Sequence, residues 1–150
     1  MNSNSKSVIL GFYGESDSGK TTLVERLISA LTKEGYHIAA VKKTNQRISI
    51  DSAGKDTHRY AQAGAKLVVF STQIETAFMV KAKNSEEEII TNIQHLGNFD
   101  FIFVEGANEK HIPKIRLGNI AERENTLLTY DGNFENLLDL IKNRKLNKER

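Results

Sequence analysis

Apolar positions along the chain follow two periods that alternate. Ser7 to Tyr13 is a short run, Val8-Ile9-Leu10 then Phe12-Tyr13, that stops at Gly14. Apolarity on both faces of so short a segment predicts a strand buried between layers, as in a parallel sheet. From Lys20 the period becomes helical, with Leu23, Val24, Leu27, Ile28 and Leu31 on one stripe and Gly35 as the stop. His37 to Lys42, centred on Ile38-Ala39-Ala40-Val41, is predicted to be a second buried strand, which completes a βαβ unit.

Thr44 to Lys55 follows neither period and is long enough to be a functional loop. Beyond it the pattern predicts a short helix over Asp56 to Ala63, closed by Gly64, and strands over Lys66 to Ser71 and Thr76 to Ala82. Ser85-Glu86-Glu87-Glu88 fits a capping box ahead of the stripe Ile89, Ile90, Ile93 and Leu96. The three glutamates are explained as first-turn residues favoured by the helix dipole, with no chemistry assigned. Phe101 to Val104 is a further buried strand ending at Glu105-Gly106, and Lys114 to Leu117 and Thr126 to Tyr130 are two more. Phe134 to Ile141 is the last predicted helix. The sum is an α/β three-layer fold, a mostly parallel sheet flanked by helices, in a single domain over residues 1–150.

Composition narrows the class. With 39% apolar and 27% charged residues the chain is an ordinary globular one, and no apolar run approaches the ~18 residues needed to cross a bilayer. Met1 to Ser7 is polar and lacks the apolar stretch of a signal peptide, so a cytoplasmic location is expected and no membrane partner. There are no cysteines, which excludes disulfides and thiolate metal sites. The net charge of +2 owes much to Lys142, Arg144, Lys145, Lys148 and Arg150. The rest of the chain is slightly acidic, so nucleic acid is not an expected partner. The basic tail over 141–150 is expected to be a solvated, fraying helix end.

The strongest chemical signal lies between the first strand and the first helix. Gly14-Glu15-Ser16-Asp17-Ser18-Gly19-Lys20-Thr21 satisfies the phosphate-binding pattern Gly-x-x-x-x-Gly-Lys-Ser/Thr, in the strand–loop–helix context that the pattern requires. A loop of this kind wraps a phosphate with inward N–H groups, and side chains at Gly14 or Gly19 are expected to obstruct that path. The helix N-terminus adds positive charge, Lys20 can reach the β and γ phosphates, and the Thr21 hydroxyl can ligate Mg²⁺. Gly14 to Thr22 is therefore the expected triphosphate site. Asp17 puts a carboxylate inside the loop; aspartate tolerates a left-handed backbone, so it is read as shaping the turn and pointing outward.

Mg²⁺ and its water call for an acidic residue. Glu105 ends the Phe101–Val104 strand, at the sheet edge where α/β proteins bind ligands, and Asp51 lies in the loop after the second strand, which opens onto the same edge. Lys20, Glu105 and Asp51 form the expected catalytic set, with Thr21, Glu105 and Asp51 about the metal. Asp100 is at the wrong end of its strand and is read as structural, and Asp56 serves equally well as a helix N-cap. Lys55 is either a second γ-phosphate contact or a solvated loop lysine. His58 and His111 are read as polar surface residues. No Asn-Lys-x-Asp guanine signature occurs; Asp131 could face a guanine edge, but Asp131-Gly132 is also a turn pair, and the turn reading is preferred.

Three features together carry a resemblance. These are Glu-Ser-Asp-Ser-Gly-Lys-Thr-Thr-Leu, the loop Asp51-Ser-Ala-Gly54-Lys55-Asp56-Thr57 followed by Ala63-Gly64-Ala65, and Phe-Val-Glu105-Gly106 followed by Pro113-Lys114-Ile115. In this order, from about Ile9 to Ile115, they resemble the MobB family of molybdopterin-guanine dinucleotide biosynthesis adaptor proteins. The resemblance implies GTP and Mg²⁺ as ligands, weak GTPase activity, a homodimer, and cooperation with the MobA guanylyltransferase, which attaches GMP to the molybdopterin cofactor. The chain departs from the family pattern in places. Lys42-Lys43-Thr44-Asn45-Gln46 stands where the family usually has Lys-His-x-His-His, Asp17 replaces a small glycine, and Ala107-Asn108 replaces Phe-Lys after Glu105-Gly106. Two other functions stay open: a P-loop small-molecule kinase, which would need an arginine-rich lid where Arg47, Arg59, Arg116 and Arg123 are scattered, and a nucleotide-binding adaptor without catalysis.

Overall fold

The computed structural model describes residues 7–51 and 55–150. The chain divides into two compact units, one made of Met1–Thr44 with Glu86–Arg150 and the other of Asn45–Ser85.

The first unit is built on a five-stranded parallel sheet. Its strands are β1 (Val8–Tyr13), β2 (Ile38–Lys42), β5 (Phe101–Glu105), β6 (Lys114–Arg116) and β7 (Thr126–Thr129), ordered β2-β5-β1-β6-β7. Residues alternate across each strand, so one apolar run serves two faces. Val8, Leu10, Phe12, Phe101 and Phe103 face helix α1 (Lys20–Lys33) and helix α4 (Phe134–Glu149), which contribute Leu23, Leu27, Leu31, Leu137 and Ile141. Ile102 and Val104 meet Ile90 of helix α3 (Glu86–Leu96) on the other face. Edge-to-face packing of Phe12 on Phe103, centroids 5.4 Å apart, and of Tyr36 on Phe101 at 5.2 Å adds specific ring geometry to this burial.

The basic tail does not fray as the sequence suggested. α4 continues to Glu149, and Lys145 is buried, with its ammonium 3.1 Å from Asp100 and 3.5 Å from Glu149. Asp100 also accepts the His37 backbone N–H at 2.8 Å, so it ties α4 to the start of β2 as a structural residue. Burial raises the Asp100 carboxyl, but the His37 N–H and the Lys145 ammonium outweigh it and hold the group below the usual carboxylate range. Lys145→Met is accordingly expected to cost about 1–2 kcal/mol of stability in urea unfolding, and an unchanged midpoint would mean that the tail contributes nothing to the fold.

The second unit contains helix α2 (Asp56–Gln62) and an antiparallel hairpin of β3 (Leu67–Ser71) and β4 (Thr76–Val80). The two strands expected here pair with each other, and neither joins the parallel sheet. Val68 is buried, while Leu67, Val69, Phe78 and Val80, matched across the pair on one face, are exposed.

Candidate functional site

The loop from Gly14 to Gly19 connects β1 to α1 and is shaped by its own backbone. Ser18 N–H donates to Glu15 O at 3.2 Å, Asp17 adopts φ 62°, and Gly19 adopts φ 88° at the N-cap of α1. Asp17 is left-handed and exposed, as its residue type allows. The two glycines are needed for different reasons. A Cβ on Gly14 would lie 2.6 Å from Leu117 O and 2.8 Å from Ser18 Oγ. At Gly19 a Cβ would meet no atom of the chain within 4 Å, and within the chain the requirement is the positive φ.

Lys20 folds back over this loop. Its ammonium donates to Gly14 O at 2.9 Å and Glu15 O at 2.6 Å, with Ser18 Oγ at 3.5 Å. α1 has no side-chain cap and no acidic residue in its first turn, so the N–H groups around Lys20, Thr21 and Thr22 keep their positive end uncompensated. Glu15, Ser16, Thr21 and Thr22 are exposed around it. Such an array can take an anion.

Thr21 and Glu105, 84 residues apart, meet at this edge: the Thr21 hydroxyl donates to Glu105 Oε1 at 3.2 Å. Register explains the meeting, because Phe12 pairs with Glu105 and the loop departs from β1 just beyond. The segment after Glu105 is fixed from two sides. Gly106 N–H donates to Phe12 O at 2.8 Å, and Lys43 N–H donates to Glu105 O at 2.9 Å.

A residue with no distinguishing mark in the sequence organises the same loop. Glu86, expected to be an ordinary first-turn glutamate, is 1% exposed. Its carboxylate takes the Lys43 ammonium at 2.7 Å and the backbone N–H groups of Asn108 at 2.7 Å and Glu109 at 2.9 Å. Glu109 returns a carboxylate oxygen to Glu86 N–H at 2.7 Å. Burial raises the Glu86 carboxyl, yet the Lys43 ammonium and the Glu109 and Asn108 N–H groups prevail and hold it below the usual range. Lys114, also fully buried, donates to the carbonyls of Ile112 at 2.7 Å and Glu124 at 3.0 Å and to that of Glu109. Burial, the largest influence on it, lowers its pKa. No spacing in the chain marks the Glu86 hub; the one hint is a lysine directly after β2.

Asp51 and Lys55 belong to the second unit, and Ser52 to Gly54 of the same expected motif lie outside the described residues. The Asp51 side chain, 4% exposed, accepts the Thr57 hydroxyl at 2.8 Å and the Lys81 ammonium at 3.3 Å. The Thr57 hydrogen bond first, then Lys81, holds its carboxyl below the usual range against the effect of burial. Lys55 is exposed at the N-cap position of α2. Among the described residues no group of three or more His, Asp or Glu side chains could hold a metal by itself, and no helix is long and apolar enough to cross a membrane.

Comparisons with known proteins agree with this architecture. The family model described as "Molybdopterin guanine dinucleotide synthesis protein B" matches residues 9–142. The Escherichia coli molybdopterin-guanine dinucleotide biosynthesis adapter protein is 32% identical over 112 residues, covering 73% of this chain and 64% of that protein. A Methanocaldococcus jannaschii relative is 31% identical over 144 residues, covering 89% of this chain and 59% of its own length. The chain thus spans about three fifths of the length of the curated relatives it matches. The crystal structure of Bacillus subtilis MobB superposes with a TM-score of 0.67 at 19% identity, over 91% of this chain and 96% of that one. The MobB homolog from Bacillus stearothermophilus gives 0.63 at 18% identity, over 91% and 99%. On the family match and the parallel-sheet fold together, this chain belongs to the MobB family of molybdopterin guanine dinucleotide synthesis proteins.

Proposed function

We propose that the chain is a GTP-binding, slowly GTP-hydrolysing accessory protein of molybdopterin guanine dinucleotide biosynthesis, acting in the cytoplasm as a homodimer beside a MobA-like guanylyltransferase. The observation that carries this reading is the Thr21–Glu105 contact at 3.2 Å, next to the Lys20 ammonium and the uncapped first turn of α1. The phosphates of GTP would lie along Gly14 to Thr22, against the loop N–H groups and Lys20. The Thr21 hydroxyl and the Glu105 carboxylate fit Mg²⁺, which takes few protein oxygens and completes its shell with phosphate and water. When bound, Mg²⁺ supplies charge that offsets the charge developing on the phosphates. Hydrolysis forms a bond from a water oxygen to the γ-phosphorus and breaks the bond to the β–γ bridging oxygen. GDP and phosphate leave, and the water proton passes to a phosphate oxygen or solvent. Lys20 would stabilise the phosphate charge in that step, and Glu105 would help to hold the metal and to orient a water beside it.

Two further observations bear on the alternatives. A kinase lid needs free arginines, but Arg116 donates to Thr129 Oγ1 at 2.8 Å, and Arg123 donates to Ala107 O at 2.6 Å and lies over the Tyr13 ring. The exposed apolar face of the β3–β4 hairpin supports a homodimer, since a second copy would remove it from water. Glu105→Gln tests the metal assignment. It is expected to lower Mg²⁺-dependent phosphate release by about 10–100-fold and to remove the gain in GTP affinity on adding Mg²⁺. Wild-type turnover in this variant at every Mg²⁺ concentration would remove Glu105 from the mechanism.

A further inference from the structure

Lys43 stands where the chain is about to leave the first unit, and Glu86 where it returns. The second unit runs from Asn45 to Ser85, so the two residues flank it in the sequence. Their ion pair, Lys43 Nζ to Glu86 Oε1 at 2.7 Å, joins the outgoing chain to the returning one within the first unit. The Glu86 side chain is fully buried and that of Lys43 is 25% exposed, a setting in which a charge-assisted hydrogen bond is stronger than in water.

The same two residues reach the carboxylate assigned to the metal. Lys43 follows β2, whose last residue, Lys42, pairs with Glu105. The Lys43 N–H donates to Glu105 O at 2.9 Å. Its carbonyl lies against Gly106, which turns with φ 85° and on which a Cβ would come within 2.6 Å of that oxygen. At the far end of the turn, the Glu86 oxygen that takes the ammonium also accepts the Asn108 N–H at 2.7 Å. Ala107, between them, is buried against β1, where a Cβ on Gly11 would collide with its own, and its carbonyl accepts from Arg123 at 2.6 Å. Lys43 thus grips both ends of the Glu105–Asn108 turn, one with its main chain and the other through Glu86. The Glu105 carboxylate, 3.2 Å from the Thr21 hydroxyl, is placed no better than the turn that carries it. Mg²⁺ demands near-ideal octahedral geometry at about 2.0–2.1 Å, so loosening that turn acts on the metal.

We propose that the Lys43–Glu86 ion pair is a clasp that positions the Glu105 carboxylate for Mg²⁺, with Lys43 as a positioning residue. The proposal rests on the metal reading of Thr21 and Glu105, and the test separates the two. Titration calorimetry gives the affinity for GTP in Mg²⁺ and in chelator, and the ratio is the gain that the metal supplies. In Lys43→Met this gain is expected to fall about tenfold or more, with the affinity in chelator unchanged because Lys20 and the loop N–H groups are untouched. Lys43→Arg keeps a cation for Glu86 and should retain most of the gain. On a Glu105→Gln background, Lys43→Met should lower the affinity in Mg²⁺ no further, since the lysine acts through that carboxylate. In the nucleotide-free protein the Asn108 N–H should exchange with solvent about tenfold faster in Lys43→Met and near the wild-type rate in Lys43→Arg. Should Lys43→Met fail to fold, Glu86→Gln, which keeps the shape and loses the charge, is expected to show the same loss of gain. An unchanged gain in the folded variant, an equal loss in Lys43→Arg, or a further loss on the Glu105→Gln background would overturn the clasp while leaving the metal reading intact. If Mg²⁺ adds nothing to GTP affinity in wild type, the metal reading fails and the clasp with it.

Discussion

Lys20→Ala is expected to weaken Mg²⁺–GTP binding by about 100-fold or more while leaving the unfolding temperature near that of wild type. The fold holds this ammonium over the loop, with Gly14 O and Glu15 O as its acceptors. Those carbonyls lie at a partly open edge, so water replaces the lost donor and the fold loses little. A bound triphosphate has no such substitute, because its charge was to be met by that ammonium and by the first turn of α1. Calorimetry of GTP binding alongside thermal unfolding separates the two effects. Lys20→Arg tests whether charge alone suffices, since a planar guanidinium does not reproduce the compact ammonium between two carbonyls. Equal affinity in wild type and Lys20→Ala would mean that the loop does not cradle phosphate.

Glu86→Ala is expected to cost about 3–5 kcal/mol of stability, a large fraction of what holds a domain of this size. The substitution leaves the N–H groups of Asn108 and Glu109 and the Lys43 ammonium without their acceptor, at a site 1% exposed. It also releases the segment that follows Glu105, so residual GTP turnover should fall together with stability. The pH dependence has a definite sign. The folded Glu86 carboxyl lies below its ordinary value of 4.5, so its stabilisation is fully present above that pH and is lost as pH falls through the lowered folded value. Glu86→Gln should therefore show a shallower loss of stability on acidification than wild type does. An acid limb of the same steepness in both proteins would show that the carboxylate is not the charged hub of this loop.

The parts of the fold that were legible in the sequence are those fixed by neighbours in the chain. The change from unbroken apolarity to helical period at Gly14–Lys20 marks β1, the loop and α1, because strand, turn and helix are each encoded within a few residues. Glu105 was legible for a similar reason: it ends an apolar strand, and strand ends face the ligand edge. Glu86 was not, because its partners lie 43, 22 and 23 residues away and its local setting is that of any capped helix. The same holds for the tail. Lys145 looks like a solvated cation until Asp100, far along the chain, is brought beneath it. In the second unit both strands of the hairpin could be predicted, but their mutual pairing could not, since an apolar run does not specify its partner. For Asp51, the sequence does not show that Thr57 and Lys81 close on it.

Titration calorimetry of GTP and of ATP into the wild-type chain, with and without Mg²⁺, tests most directly whether this edge of the sheet binds GTP with Mg²⁺. Saturable binding of GTP is expected, tighter than that of ATP and strengthened by Mg²⁺. ATP bound as tightly as GTP or more so, or no saturable binding of either, would contradict it.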